Sequence, residues 1–332
     1  MTRSRLKTFS PRVPLLLCLL LALTTACGHY SMRFSDDDGE YAWSHGPRRV
    51  SVKVLGDVEF TESDRDVARL SPDGYLLIEE LVAWDSKVLQ FSPGPNGTVA
   101  TKLLVNGDEH PMDAEARAWM GRLLPEVIRQ TGFDAEKRVQ RILAKGGMDA
   151  LAAEIPQVHS GRVRARYVEE AFLRGSVGEE GQLRLLRQAP NWIGSDSRLA
   201  ELLAALRPRA QSEPLRGAFF DAAGRIGSDS RKADLLRDIL SQEGSDIVVV
   251  RRVLQLAQGI GSDSRKADLL ADAVRYVGQD EAARQAFFAA ARSVGSDSKK
   301  TQALQAMLDD SGNDPAVLTP LIETADTNRV RQ

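Results

Sequence analysis

Cysteine is nearly absent from this chain, and so are several residue spacings that mark catalytic centres. Only Cys18 and Cys27 occur among 332 residues, both near the N-terminus. The body therefore has no disulfide framework and no cysteine-based metal site. The four histidines (His29, His45, His110 and His159) form no i, i+4 pair, and no H-E-x-x-H is present. A G-x-S-x-G elbow, a P-loop and a helix-opening G-x-G-x-x-G are also missing. These gaps argue against an enzyme, and no metal or cofactor is expected. Net charge is only −2. A near-neutral chain is a poor match for nucleic acid, whose binding rests on neutralising phosphates. Long apolar runs are missing too, with one exception at the N-terminus.

That exception is Pro14 to Ala26, an uncharged leucine-rich run that follows Arg3, Arg5, Lys7 and Arg12. It is too short to span ~30 Å of hydrocarbon as a helix and has the layout of a signal segment. Leu23-Thr24-Thr25-Ala26-Cys27-Gly28 resembles a bacterial lipobox, with Thr24 where leucine is most usual. The resemblance implies that Cys27 is lipidated and becomes the new N-terminus. The rival reading is cleavage near Ala26 that leaves an unmodified thiol. Cys18 would be discarded either way. Removal of the segment leaves 40 basic against 46 acidic residues. Where the chain resembles Gram-negative lipoproteins, Gly28 after the cysteine implies the outer membrane, facing the periplasm.

From Gly28 to Arg48 no hydrophobic period is evident, and Ser35 to Glu40 reads as a solvated tether. The acidic triplet lacks the spaced ligands of a calcium loop. Beyond it the period becomes two. Val50, Val52 and Val54 alternate with polar residues, and strand-forming runs follow at 58–60, 67–70, 75–84, 87–91 and 98–105. Ser71-Pro72-Asp73-Gly74 and Asn106-Gly107 are turn signals. The expectation is five or six short antiparallel strands. The stretches VEFTESDRDVARLSPDGYLLIEE and DAEARAWMGRLLPEVIRQTGF resemble accessory regions of uncharacterised envelope proteins. Some of those are attached to β-lactam-sensing membrane metallopeptidases. The resemblance implies a shared accessory region without shared catalysis, because the zinc motif is missing. Asp113 then opens a helix containing Pro125, and a second helix from Asp134 ends at Gly146-Gly147.

The rest of the chain is periodic. IGSDSRKADLL occurs at 226–236 and again at 260–270, with variants at 193–203 and 294–304. The glycines are Gly194, Gly227, Gly261 and Gly295, and a weaker copy starts at Val158 with His159 in the glycine's place. A period of 33 to 35 residues marks stacked repeats. Counting from the glycine, positions +8, +9, +12 and +13 are apolar, as in Leu235, Leu236, Ile239 and Leu240. That spacing makes one face of a helix. A second helix precedes each glycine, with Ser212, Ser245 and Asp280 as candidate N-caps. Val250 to Gly261 resembles the closing pattern of short HEAT-like repeats, which implies an α-solenoid. Pro315 and Pro320 set the last unit apart.

Two readings of GSDS compete. It could line a cation or phosphate site, or its glycine could end one helix while Ser or Asp caps the next. Capping accounts for all three residue types. The basic residues that follow (Arg198, Arg231, Lys232, Arg265, Lys266, Lys299 and Lys300) sit in a first turn, where the helix dipole disfavours cations. Pairing i, i+3 with Asp229, Asp263 and Asp297 would offset this. The sharper expectation is a basic ladder for an acidic protein partner.

Together these patterns predict an α+β multidomain chain. A signal segment (1–26), tether (27–48), small antiparallel β domain (49–112) and helical connector (113–157) precede an α-solenoid of about five two-helix repeats (158–332). The implied function is a non-enzymatic, lipid-anchored envelope protein that binds a protein partner through its repeats. The alternative is a periplasmic sensor whose β domain recognises a ligand.

Overall fold

The computed structural model describes residues 31–35, 39–175, 177–311 and 314–326. The signal segment, Cys27 and the acidic triplet Asp36, Asp37 and Asp38 lie outside the described residues.

Strands come first and helices follow, an α+β arrangement. The strands are β1 (Ser31–Ser35), β2 (Glu40–His45), β3 (Arg48–Leu55), β4 (Val58–Phe60), β5 (Val67–Leu70), β6 (Tyr75–Val82), β7 (Asp85–Pro93), β8 (Val99–Val105) and β9 (Asp108–His110). Seven form one antiparallel sheet in the order β1-β2-β3-β6-β7-β8-β9, while β4 and β5 make a separate ribbon. Asn106 and Gly107 both take positive φ (51° and 93°) between β8 and β9, the two-residue turn that matches strand twist.

The period-two pattern turns Val50, Val52, Leu76, Ile78, Leu89, Phe91 and Leu103 to one face, where all are buried. Helix α1 (Ala114–Thr131) covers that face with Trp119, Met120, Leu123, Leu124, Val127 and Ile128, and Phe60, Val67 and Leu70 close the rest. Asp113, where the sequence places the start of this helix, caps α1 by accepting from Ala116 N at 2.9 Å, and the helix runs through Pro125.

The tether expected over 27–48 is corrected by two strands, since residues 31–35 form β1 and pair with β2. Residues 40–45 are a strand paired with β3, and Trp43 is buried on the inner face. Its indole donates to Glu126 Oε1 of α1 at 2.7 Å. The aromatic residues Tyr41 and Trp43 do alternate with Ala42 and Ser44, but an acidic run precedes them and masks the period.

A second core runs from Ala135 to Val317. It is built by α2 (Ala135–Glu154), α3 (Gly161–Arg174), α4 (Gly178–Ile193), α5 (Asp196–Leu206), α6 (Glu213–Gly224), α7 (Asp229–Glu243), α8 (Ile247–Ala257), α9 (Asp263–Val277), α10 (Glu281–Arg292), α11 (Asp297–Ser311) and α12 (Pro315–Asp326). Gly147, at φ 62°, breaks α2 at the predicted place, although helix resumes beyond it. Odd-numbered helices from α3 to α11 pack on one another in succession, and α4 packs on α6, α8 on α10 and α10 on α12. The expected stripe is buried at Leu235, Leu236, Ile239 and Leu240 and again at Leu269, Leu270, Ala273 and Val274. In the second unit its last position is Arg207, 8% exposed and held by Asp238 and Glu243. Among the described residues no helix is long and apolar enough to cross a membrane.

Candidate functional site

The GSDS segments line one edge of the helical array, and their glycine, first serine and aspartate have separate tasks. The first serine caps its own helix. Ser195 Oγ accepts from Arg198 N at 3.5 Å, Ser228 from Arg231 N at 3.4 Å and Ser262 from Arg265 N at 3.4 Å. The aspartate does something the spacing alone did not suggest. Asp229 Oδ1 accepts from Gly261 N at 2.8 Å and its Oδ2 accepts from Ser262 N at 2.7 Å, both in the next unit. Asp263 repeats the clamp on Gly295 N and Ser296 N at 2.9 and 2.8 Å. Asp196 makes one such bond, to Gly227 N at 2.9 Å. These are charge-assisted bonds from a carboxylate to backbone N–H groups, the stronger class.

The clamp revises the role assigned to the glycines. Only Gly194 takes the left-handed conformation (φ 64°) expected of a helix stop. At Gly227, Gly261 and Gly295 the requirement is close approach. A Cβ there would lie 3.2 Å from Oδ2 of Asp196, Asp229 and Asp263 respectively. The N-cap expectation holds for Ser212 and Asp280 but moves from Ser245 to Asp246, whose carboxylate accepts from Val248 N at 2.9 Å.

The basic ladder divides in two. Arg198, Arg231 and Arg265 are exposed and Lys299 is half-exposed. Lys232, Lys266 and Lys300 are buried at 7, 3 and 4% exposure, so they cannot form an open basic edge. Lys266 Nζ donates to the carbonyl of Ser293 at 3.0 Å and to its hydroxyl at 2.8 Å. Ser293 C-caps α10, so the ammonium meets the negative end of its own unit's second helix. Lys232 Nζ lies beside Gly259, the equivalent position. In the degenerate first unit Arg164 takes this place and donates to Trp192 O at 2.6 Å. The expected i, i+3 pairing with aspartate gives way to these links between the two helices of a unit. Burial is the main influence on the Lys266 ammonium and pushes its pKa below the ordinary lysine value.

The second helices carry a parallel device. The N-cap aspartates of α8, α10 and α12 also hold an arginine from the preceding second helix. Arg216 meets Asp246 at 2.9 Å, Arg251 Nε meets Asp280 Oδ1 at 2.8 Å and Arg284 meets Asp314 at 2.8 Å. This explains why Arg216 and Arg284 interrupt an otherwise apolar stripe.

Arg198 stands apart from the other exposed cations because it lines a cleft of about 1290 Å³. The cleft lies between the β4–β5 ribbon and helices α2, α3 and α5. Arg69, Lys137, Arg162 and Arg166 line it together with Glu59, Glu169, Glu170 and Glu201. Lys137 pairs with Glu59 across it at 2.7 Å, and that hydrogen bond holds the Glu59 carboxyl below its ordinary range. Charges of both signs suit polar or peptide-like ligands better than simple anions. No local signal announces this cleft, because its walls come from segments far apart in sequence, from Tyr41 to Ala205.

Polar staples beside the cleft join the sheet core to the helices. Arg138, 4% exposed, donates to Asp64 Oδ2 at 2.7 Å and to the Tyr167 hydroxyl at 2.6 Å. It also pairs with Glu154 at 2.9 Å, and Arg129 holds the same carboxylate at 2.7 Å. Burial opposes ionisation of Glu154, but the two guanidiniums outweigh it and its pKa is lowered. Glu126 follows the same logic. Burial is overcome by Arg48, which binds it at 2.8 Å through both terminal nitrogens, and by Trp43. Desolvation raises the Tyr167 phenol, so it stays a neutral donor and acceptor. Among the described residues no group of three or more His, Cys, Asp or Glu side chains is placed to hold a metal ion. No protein-family model matches the chain, and no curated protein or solved structure matches it either.

Proposed function

We propose that this protein is a non-enzymatic, lipid-anchored envelope lipoprotein whose helical repeats bind another protein. In this reading α3 to α12 form a HEAT-like α-solenoid of five helix pairs. Cys27 carries the acyl anchor, and the chain faces the periplasm from the outer membrane. The observation that carries the binding role is the clamped edge. Aspartate-to-backbone bonds hold successive GSDS segments in one register and leave Arg231 and Arg265 exposed at equivalent positions. A repeated cation on a rigid edge fits an extended acidic segment, because spacing and charge recur together. Lys232 and Lys266, first grouped with these arginines, serve the fold instead.

The test is crosslinking in envelope fractions, comparing the native chain with a variant in which Arg231, Arg265 and Lys299 are changed to Glu. Loss of a crosslinked partner with an unchanged melting curve supports the reading. An unchanged partner set would show that the edge is only surface. A second reading, a sensor in which the β domain receives a ligand, is favoured by the cleft where the β4–β5 ribbon meets α2, α3 and α5.

A further inference from the structure

Trp84 is the most exposed large apolar side chain among the described residues, at 95%. It stands on the turn between β6 and β7, where Val82 pairs with Asp85 and Ala83 takes φ 55°. Val82 beside it is 40% exposed. The other three tryptophans, Trp43, Trp119 and Trp192, are buried. Two of them donate to carboxylates, Trp43 to Glu126 and Trp119 to Glu80, both at 2.7 Å.

The strand register fixes which end of the sheet this turn occupies. Ser31 pairs with Ser44, Ser44 with Arg49, Arg49 with Leu81 and Leu81 with Ser86. The start of β1 and the β6–β7 turn therefore lie at the same end. Three strand spacings separate β1 from β6, about 14 Å. Cys27 precedes Ser31 by four residues, a reach of at most about 14 Å. An acyl group on Cys27 and the Trp84 ring can therefore meet one plane without rearrangement of the sheet.

We infer that the Trp84 turn is a membrane contact: the indole inserts at the headgroup level of the bilayer that holds the Cys27 anchor, and so sets the sheet end-on to the lipid surface. Tryptophan favours that depth because its ring is apolar and its N–H is polar. The charges at this end are of both signs, Arg49 against Asp85 and Asp108, all exposed. The apolar ring, and not attraction to anionic lipid, is therefore the driving group. The inference rests on the lipid-anchor reading.

The test uses the full protein isolated from membranes and reconstituted into vesicles of phosphatidylethanolamine with phosphatidylglycerol. Emission lost in Trp84→Ala reports this residue, because the other three indoles are shielded. The expected result is a blue-shifted Trp84 component that is quenched by bromine-labelled lipid chains and protected from aqueous iodide. An unshifted component, open to iodide, overturns the inference, as does shielding that appears only when envelope proteins are added. Palmitate labelling, compared with Cys27→Ser, reads the anchor separately. Labelling with an unshifted Trp84 overturns the contact and leaves the anchor standing, whereas absence of labelling overturns both. A matching unfolding midpoint for Trp84→Ala shows that the variant is folded.

Discussion

Changing Asp229 to alanine removes two hydrogen bonds, to Gly261 N and Ser262 N, from a half-exposed carboxylate. Bonds to charged groups contribute about 1.5–3 kcal/mol when buried, and water can replace part of that here, so about 1 kcal/mol each is reasonable. Asp229 also stands in the first turn of α7, where a negative charge stabilises the helix by about 0.3–1 kcal/mol. Total destabilisation should be about 2.5 kcal/mol. The chain carries its own controls. Asp263 makes the same two bonds, Asp196 makes one, and Asp297 has the first-turn position with no later GSDS segment to clamp. The expected order is Asp229→Ala equal to Asp263→Ala, then Asp196→Ala near 1.5 kcal/mol, then Asp297→Ala near 0.5 kcal/mol, all order-of-magnitude values. Urea unfolding followed by far-ultraviolet dichroism measures the series. Four equal losses would show that only the helix dipole is being removed and would refute the clamp.

The glycines should separate by mechanism in the same assay. Gly261→Ala should cost about 1 kcal/mol through its 3.2 Å approach to Asp229 Oδ2, and much less in an Asp229→Ala background, whereas Gly194→Ala should cost about 1–2 kcal/mol in either background because its φ is 64°. Lys266→Glu should destabilise by more than about 2 kcal/mol, since it buries a carboxylate against the Ser293 carbonyl, while Arg265→Glu should stay within about 0.5 kcal/mol, both read from unfolding midpoints. Acid should weaken both the sheet core, through Glu126, and its junction with the helices, through Glu154. Glu126 and Glu154 have folded pKa values below the ordinary value of about 4.3, so their contribution is complete above it and is lost as pH falls through the folded values. Glu154→Gln should flatten the pH–stability profile in that acid window, measured by thermal melts.

What could be read in the sequence was what a short window encodes. The apolar stripes, the serine caps and the helix start at Asp113 depend on neighbours three or four residues away, and the turn at Asn106-Gly107 needs only its own backbone preference. The aspartate of GSDS is different, because its partners lie 31 to 33 residues downstream. From its own helix it looks like a first-turn acid. Lys232 and Lys266 look like surface cations for the same reason, since the helix terminus that receives Lys266 is 27 residues away. Trp43 was hidden by the opposite effect: a strand buried by α1, 83 residues later, followed an acidic run that suggested solvent. The cleft had no local trace. Its walls exist only once the ribbon and three helices are assembled.

Each identical segment at 226–236 and 260–270 holds both halves of a junction, a Gly-Ser pair of donors and an aspartate acceptor. Its +5 lysine reaches the end of the second helix within the same unit. A unit therefore does not need to know its neighbour's identity, only that a neighbour begins with the same four residues. Duplicating the stretch from one glycine to the next would create one new junction that is already complete on both sides. The same stretch could be removed without leaving an unmatched donor or acceptor. Length in this protein is a variable that gene duplication can adjust in whole steps, with the number of arginines on the GSDS edge changing by one each time.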